Sequence, residues 1–277
     1  MNRVRRTLAG ESALLRGVGL HSGHDVTLRL CPAPPGAGLV FVNLPDRQEI
    51  PAHLKNVWDT SRCTILGQGN VQVQTVEHVL AALASLGIDD ARIETQGGEM
   101  PAMDGSALPF VHLAQASGIR EHGKDTVQPL VVTAPIVVQG KDGASLVALP
   151  SDTFRVSVVL DYPGHAYLGT SAATFGGDGD EFASQIAPAR TYGFLAELDW
   201  LKAHGLALGA SADNAVALGE TGYETPLRFP NELARHKLLD MVGDLALVGR
   251  PLQAHIMAFK PGHALNAALA RGLCQSA

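Results

Sequence analysis

A chain of 277 residues, 46% hydrophobic and 17% charged, is long enough for two domains or one large one and has the apolar material for a core. Its formal net charge of −6 excludes a global basic field for nucleic acid or anionic lipid. Cys31, Cys63 and Cys274 are odd in number and have no metal-ligand or redox spacing, which predicts free thiols in a reducing compartment.

The N-terminal stretch MNRVRRTLAGESALLRGVGL is basic, but Glu11, Ser12 and Arg16 interrupt any apolar run. No leader and no bilayer-spanning segment are expected, and the expected location is cytoplasmic. DVTLRL (25–30) alternates like a strand and is broken by PAPPGAG; GLVFVN and VQVQ (71–74) are two more. The period then changes. Thr75 is placed to cap a helix through VEHVLAALASL, with Val79, Leu80, Leu83 and Leu86 at helical spacing and Gly87 closing it. ARIETQ returns to strand, and a second helix is expected over 107–117. GIREHGKDTVQP (118–129) is polar and aperiodic and predicts a boundary between domains at 1–122 and 123–277. Beyond it LVVTAPIVVQ, ASLVALP and RVSVVLDY are expected as strands, GGDGDE as a loop, and EFASQIA and LAELDWLKAHG as helices. NELARHKLLDMVGDLALVG predicts a strong helix, AHIMAFK a strand, and HALNAALARGL a last helix introduced by Pro261-Gly262. Strands and helices mix in both halves without regular βαβ alternation, which predicts an α+β fold with two layers per domain.

His236 and Asp240 stand four apart in the strong helix, so they project from one face and can be neighbouring ligands of one metal ion. Alone, such a pair is also what an ion-paired surface helix presents. Glu77-His78 falls in the first turn of the earlier helix, where Glu also suits the helix dipole and His can be an ordinary half-buried side chain. A catalytic zinc keeps three protein ligands and an open position, and a carboxylate beside a ligand can take a proton from water there. That gives Glu next to His a chemical reason. His263 opens the last helix, and Asp244, two turns beyond His236, could orient it.

Seven segments run in order along nearly the whole chain: GVGLHSG (17–23), TVEHVLAAL (75–83), EMPAMDGSALPFV (99–111), ARTYGF (189–194), GLALGAS (205–211), RHKLLDMVGDL (235–245) and KPGHALN (260–266). Together they resemble the UDP-3-O-acyl-N-acetylglucosamine deacetylase family, zinc-dependent amide hydrolases of lipid A synthesis. The resemblance implies two similar two-layer α/β-sandwich domains with the zinc site at their junction. It makes Glu77 the general base and His78, His236 and Asp240 the zinc ligands, with ferrous iron as an alternative metal in the cell. It makes His263 a catalytic histidine positioned by Asp244, and Thr191 a stabiliser of the oxyanion. Lys237 and Lys260 would lie on the anionic, nucleotide part of the substrate, and Tyr162, after Asp161, would stack on its base. The segment 194–217 resembles an insert that forms an acyl tunnel, with Leu198, Leu201, Leu206, Ala207 and Ala212 expected along it and Phe194, at its start, counted among the substrate-binding residues; an amphipathic helix packed on a core has the same pattern.

Ser61-Arg62, ahead of Cys63, is more polar than that family leads one to expect and bears on the mouth of the site. His21 belongs to a matching motif without an assigned mechanism. The expected partners are the acylated UDP-sugar and, as the one protein considered, a regulatory protease. Two rival functions are a deacetylase of another N-acetylated sugar nucleotide, lacking the tunnel, and a silent paralogue that only binds.

Overall fold

The structure, a computed structural model, describes residues 2–44 and 46–276. The first half runs β1 (Arg3–Leu8), β2 (Leu15–Val18), β3 (Asp25–Pro32), β4 (Leu39–Asn43), β5 (Gln48–Pro51), β6 (Val57–Asp59), β7 (Ile65–Gln68), β8 (Val71–Val73), α1 (Glu77–Ser85), β9 (Ala91–Gln96), α2 (Leu108–Ala116) and β10 (Ile119–Val127). The second runs β11 (Leu130–Val131), β12 (Ile136–Gln139), β13 (Ser145–Leu149), β14 (Arg155–Asp161), β15 (Thr170–Phe175), a single turn α3 (Gly179–Glu181), β16 (Tyr192–Phe194), α4 (Leu195–Ala203), β17 (Val216–Leu218), α5 (Glu232–Ala246), β18 (Leu252–Gln253), β19 (His255–Phe259) and α6 (His263–Gln275).

Each half is built on one five-stranded sheet, ordered β2-β3-β9-β4-β5 and β12-β13-β19-β14-β15. In both, the strand that arrives last enters the middle, parallel to one neighbour (β9 on β4, β19 on β14) and antiparallel to the other. In both, one helix precedes that strand and one follows it. The halves therefore repeat one α+β design, with period-2 burial along strands such as β13 and β14 turning one sheet face toward the helices. One buried cluster joins them, from Leu28 and Phe41 through Leu80 and Leu238 to Val158 and Ile256. Each half also carries an insert in the same topological place, ahead of its first long helix. The first is the antiparallel β6-β7-β8 sheet; the second is β16, α4 and β17. Among the described residues no helix is long and apolar enough to cross a membrane.

One sequence expectation changes and two are refined. Thr75 does not cap α1: its φ is 58°, its hydroxyl bonds Glu99, and the cap position falls to Val76 without a side-chain bond. The segment 118–129, read from the sequence only as polar and aperiodic, contains β10, antiparallel to β1. Only His122 and Val127 of that strand are buried, so it has no apolar period to read. EFASQIA is helical as expected, but continues α3 as a wider π-helix over Phe182–Ile186 with only its two ends buried.

α1 and α5, equivalent elements of the two halves, cross in direct contact. A Cβ on Gly243 of α5 would overlap the main-chain carbonyl of Glu77. In an open helix Gly→Ala stabilises by about 1 kcal/mol; here overpacking, which costs about 1–3 kcal/mol, opposes it. Gly243→Ala should therefore lower the melting temperature rather than raise it. A raised one would mean that the crossing is loose.

Candidate active site

The crossing puts the start of α1 against the middle of α5. His236, Asp240 and Asp244 follow one another at four-residue intervals on α5, and all three are buried. His78 Nε2 lies 3.6 Å and His236 Nε2 3.4 Å from Asp240 Oδ1. The two imidazoles meet edge to face with centroids 5.1 Å apart. The ligand-type atoms of these three residues lie within 4.8 Å of one another. His236 Nδ1 donates to the Ala189 carbonyl at 3.0 Å, which leaves the lone pair of Nε2 facing Asp240. Asp240 Oδ2 accepts from Lys237 at 2.9 Å, whereas Oδ1 is buried with no hydrogen-bond partner. A buried carboxylate oxygen rarely stays unsatisfied. Two imidazole nitrogens beside one such oxygen fit a divalent metal ion.

Electrostatics agrees with ligand duty. Burial pushes His236 down to about 4, so it is neutral near pH 7. Burial works against ionised Asp240, but His236 and Lys237 hold it well below the usual carboxylate range. With His236 neutral, the Lys237 ammonium, the nearer, and the His263 imidazolium are the charges that keep it ionised.

Glu77 stands on the other side of the cluster and is also buried. Burial pushes its carboxyl up, as a proton acceptor working near neutrality requires. Its Oε2 accepts from the Thr64 N–H at 3.1 Å, and its Oε1 lies 3.8 Å from His263 Nε2. His263, the first residue of α6, gives Nδ1 to Asp244 Oδ2 at 2.9 Å. Asn266 and Thr64 also bond Asp244. Burial disfavours the imidazolium, yet Asp244 and Glu77 outweigh it and raise His263 to about 9.

These groups open onto a cavity of about 1070 Å³ that both inserts wall. Thr191, Phe194, Leu198, Leu201, Ala207 and Ala212 line it, as do Lys237, Lys260 and Tyr162; Asp244 lies behind His263 and Leu206 does not reach it. Thr191 is pinned by its N–H to the Gly105 carbonyl at 2.8 Å, where Gly105 has φ of 81° and no room for a Cβ beside Asn214. Tyr162 bonds Tyr192 through the two hydroxyls at 2.6 Å and meets Phe194 edge-on, while Lys260 lies 3.3 Å from Asp161. Arg62 crosses the mouth to Glu197 of α4 at 3.0 Å. The His21 carbonyl accepts from Leu208 and its Nδ1 from Ala207, so the HSG loop docks the corner of the second insert.

Thr64, Tyr192 and Glu99 were not selected from the sequence. Tyr192 had a signal, standing beside Thr191 in ARTYGF. Glu99, whose buried carboxylate accepts from His21 N, Ser22 N and Thr75 Oγ1, stood in a matching segment as an ordinary acidic residue. Thr64 had none, because its partners are distant in sequence.

A buried His–His–Asp cluster able to hold a metal ion, with a raised carboxyl beside it at the head of a largely apolar cavity, has the make-up of a metal-dependent hydrolase site. A profile of the family described as UDP-3-O-acyl N-acetylglycosamine deacetylase matches residues 5–275. Among curated relatives, the UDP-3-O-acyl-N-acetylglucosamine deacetylase of Myxococcus xanthus is 48% identical over 271 residues, 96% of this chain and 85% of the relative. That of Leptospira biflexa is 44% identical over 97% of this chain and 89% of its own length, and that of Citrifermentans bemidjiense 42% over 93% and 85%. The chain belongs to the UDP-3-O-acyl-N-acetylglucosamine deacetylase family.

In protein stripped of metal, the His263 imidazole should titrate near pH 9 by NMR. Its folded value exceeds the ordinary 6.5, so the cation's stabilisation is complete below 6.5 and is lost as pH rises through about 9. Asp244→Asn should lower the midpoint and flatten that loss; an unmoved midpoint would show that Asp244 does not hold the cation.

Proposed function

We propose that this chain hydrolyses the 2-acetamido group of UDP-3-O-acyl-N-acetylglucosamine to acetate and the free amine, with zinc held by His78, His236 and Asp240. The observation that carries the reading is Glu77. One of its oxygens is fixed by Thr64, and the other faces the metal-type cluster and His263 at the head of the cavity. A nitrogen–nitrogen–oxygen set with an open side suits a catalytic zinc, and ferrous iron can occupy the same set in the cell. When bound, the ion supplies Lewis acidity, which polarises the amide carbonyl and acidifies water.

Glu77 takes a proton from the attacking water as the water oxygen bonds to the carbonyl carbon and the C=O π electrons move onto the carbonyl oxygen. His263, cationic, faces the negative charge that develops on the carbonyl oxygen, and the Thr191 hydroxyl donates to it. The C–N bond then breaks, and the amine leaves with a proton from His263 or from protonated Glu77. Lys237 and Lys260 neutralise the diphosphate. Tyr162 and Phe194 offer aromatic faces to the base. Leu198, Leu201, Ala207 and Ala212 cover the acyl chain. The proposed division at 1–122 and 123–277 leaves Glu77 and His78 in the first domain and the rest in the second, with the cut falling inside β10, which pairs with β1. Cys31, Cys63 and Cys274 are all free thiols, which suits a reducing, cytoplasmic setting.

Mass spectrometry of acetate release from the acylated and unacylated sugar nucleotides tests the reaction. Each buried methylene contributes up to ~0.8 kcal/mol, so loss of the acyl chain should lower kcat/KM by several orders of magnitude. Comparable rates on both would favour a general sugar-nucleotide deacetylase. Ala212→Trp should penalise the acylated substrate selectively; equal losses would point to a disrupted core.

Purified protein should hold about one equivalent of metal. His236→Ala should lose both metal and turnover. Glu77→Gln should keep the metal and lose about 10²- to 10⁴-fold in kcat. Metal loss in that variant would make Glu77 a ligand and remove it as the base.

A further inference from the structure

Thr64 is buried in the first insert, between β6 and β7, and no motif of the sequence singles it out. Its main-chain N–H gives Glu77 the only hydrogen bond that carboxylate receives among the described residues. Its hydroxyl donates to Asp244 Oδ1 at 2.5 Å, from the opposite half of the molecule. Asp244 thereby has a divided carboxylate: Oδ1 takes Thr64, and Oδ2 takes both His263 Nδ1 and Asn266 Nδ2. The same hydroxyl oxygen lies 3.3 Å from His263 Nδ1.

We infer that Thr64 is a positioning residue that holds the base and the acid of the reaction in one frame. It acts through Glu77 and Asp244 and touches no reacting atom. The main-chain bond fixes Oε2 of Glu77 and leaves Oε1 free on the His263 side. The hydroxyl bond decides which oxygen of Asp244 orients the His263 ring. A hydroxyl proton cannot donate to two acceptors at full strength, and a short bond to a carboxylate is the stronger choice. The lone pairs of Thr64 are then left facing Nδ1 and keep hydrogen there whether the ring is cationic or has given up its proton, so Nε2 is the atom left to face the substrate. Because the main-chain and hydroxyl bonds leave one residue, loss of the hydroxyl anchor also loosens the main-chain bond to Glu77.

The inference rests on the proposed deacetylation, so wild-type turnover in the same assay is the control that separates the two. Thr64→Val keeps the shape and removes the hydroxyl; Thr64→Ser keeps the hydroxyl. Losing a hydrogen bond to a charged partner predicts a drop of about 10- to 100-fold in kcat for Thr64→Val. KM and bound metal should be unchanged, and Thr64→Ser should recover most of the rate. In an Asp244→Asn background, Thr64→Val should cost much less than it does alone, since the partner is already weakened. Full activity in Thr64→Val, failure of Thr64→Ser to recover the rate while the melting temperature stays at the wild-type value, or independent losses in the double variant would each overturn the inference.

Discussion

The closeness of α1 and α5 governs everything else. Gly243 on one helix leaves no gap over the Glu77 carbonyl on the other, so the two chains meet backbone to backbone. At that distance side chains too short to bridge ordinary packed helices, where axes stand roughly 8–10 Å apart, can share one small volume. His78 and His236 come from equivalent helices of a repeated design, yet their rings touch. A looser crossing would leave two half-sites, each with too few ligand atoms.

Six ionisable groups are buried within this volume: Glu77, His78, His236, Asp240, Asp244 and His263. Burying charge is costly unless it is paired, and the pairing here separates the groups by task. Asp240 is kept ionised by Lys237 and His263, His236 is kept neutral by burial, burial raises Glu77, and His263 is held as a cation by Asp244. Two carboxyls a few ångströms apart are thus driven in opposite directions, Glu77 up by burial and Asp240 down by its charged neighbours, which is how one cluster can bind a cation and accept a proton at the same pH.

Much of this was legible in the sequence, and the boundary of legibility has physical causes. The leucine period made α5 legible as a helix, but its four-residue polar spacing also fits an ion-paired surface helix, and only the resemblance of RHKLLDMVGDL to its family singled out His236 and Asp240 as candidate ligands. Strands with period-2 burial, such as β14, were equally readable. Thr75 was misread because capping chemistry and a bond to a distant carboxylate ask for the same hydroxyl, and the positive φ that decides between them leaves no mark on a Thr. β10 was missed because its pairing is made by main-chain bonds while its side chains face water. Thr64 and Glu99 were missed because their partners lie far along the chain, and spacing carries no information about those contacts. The repeat of the halves was likewise invisible to periodicity, since it resides in strand order and not in residue identity.

The helices around the cavity are rooted unequally. α5 is buried almost along its length, whereas α4 contains no buried residue and reaches the first half through the exposed Arg62–Glu197 pair. An exposed pair of this kind contributes about 0.2–1 kcal/mol. Local opening follows such anchoring, so α4 belongs to the part of the molecule that can detach without unfolding the rest. If α4 covers the acyl chain as proposed, catalytic geometry and chain-length preference are separable traits: substitutions along α4 would retune a ruler for the chain, generation after generation, while α1 and α5 stay fixed.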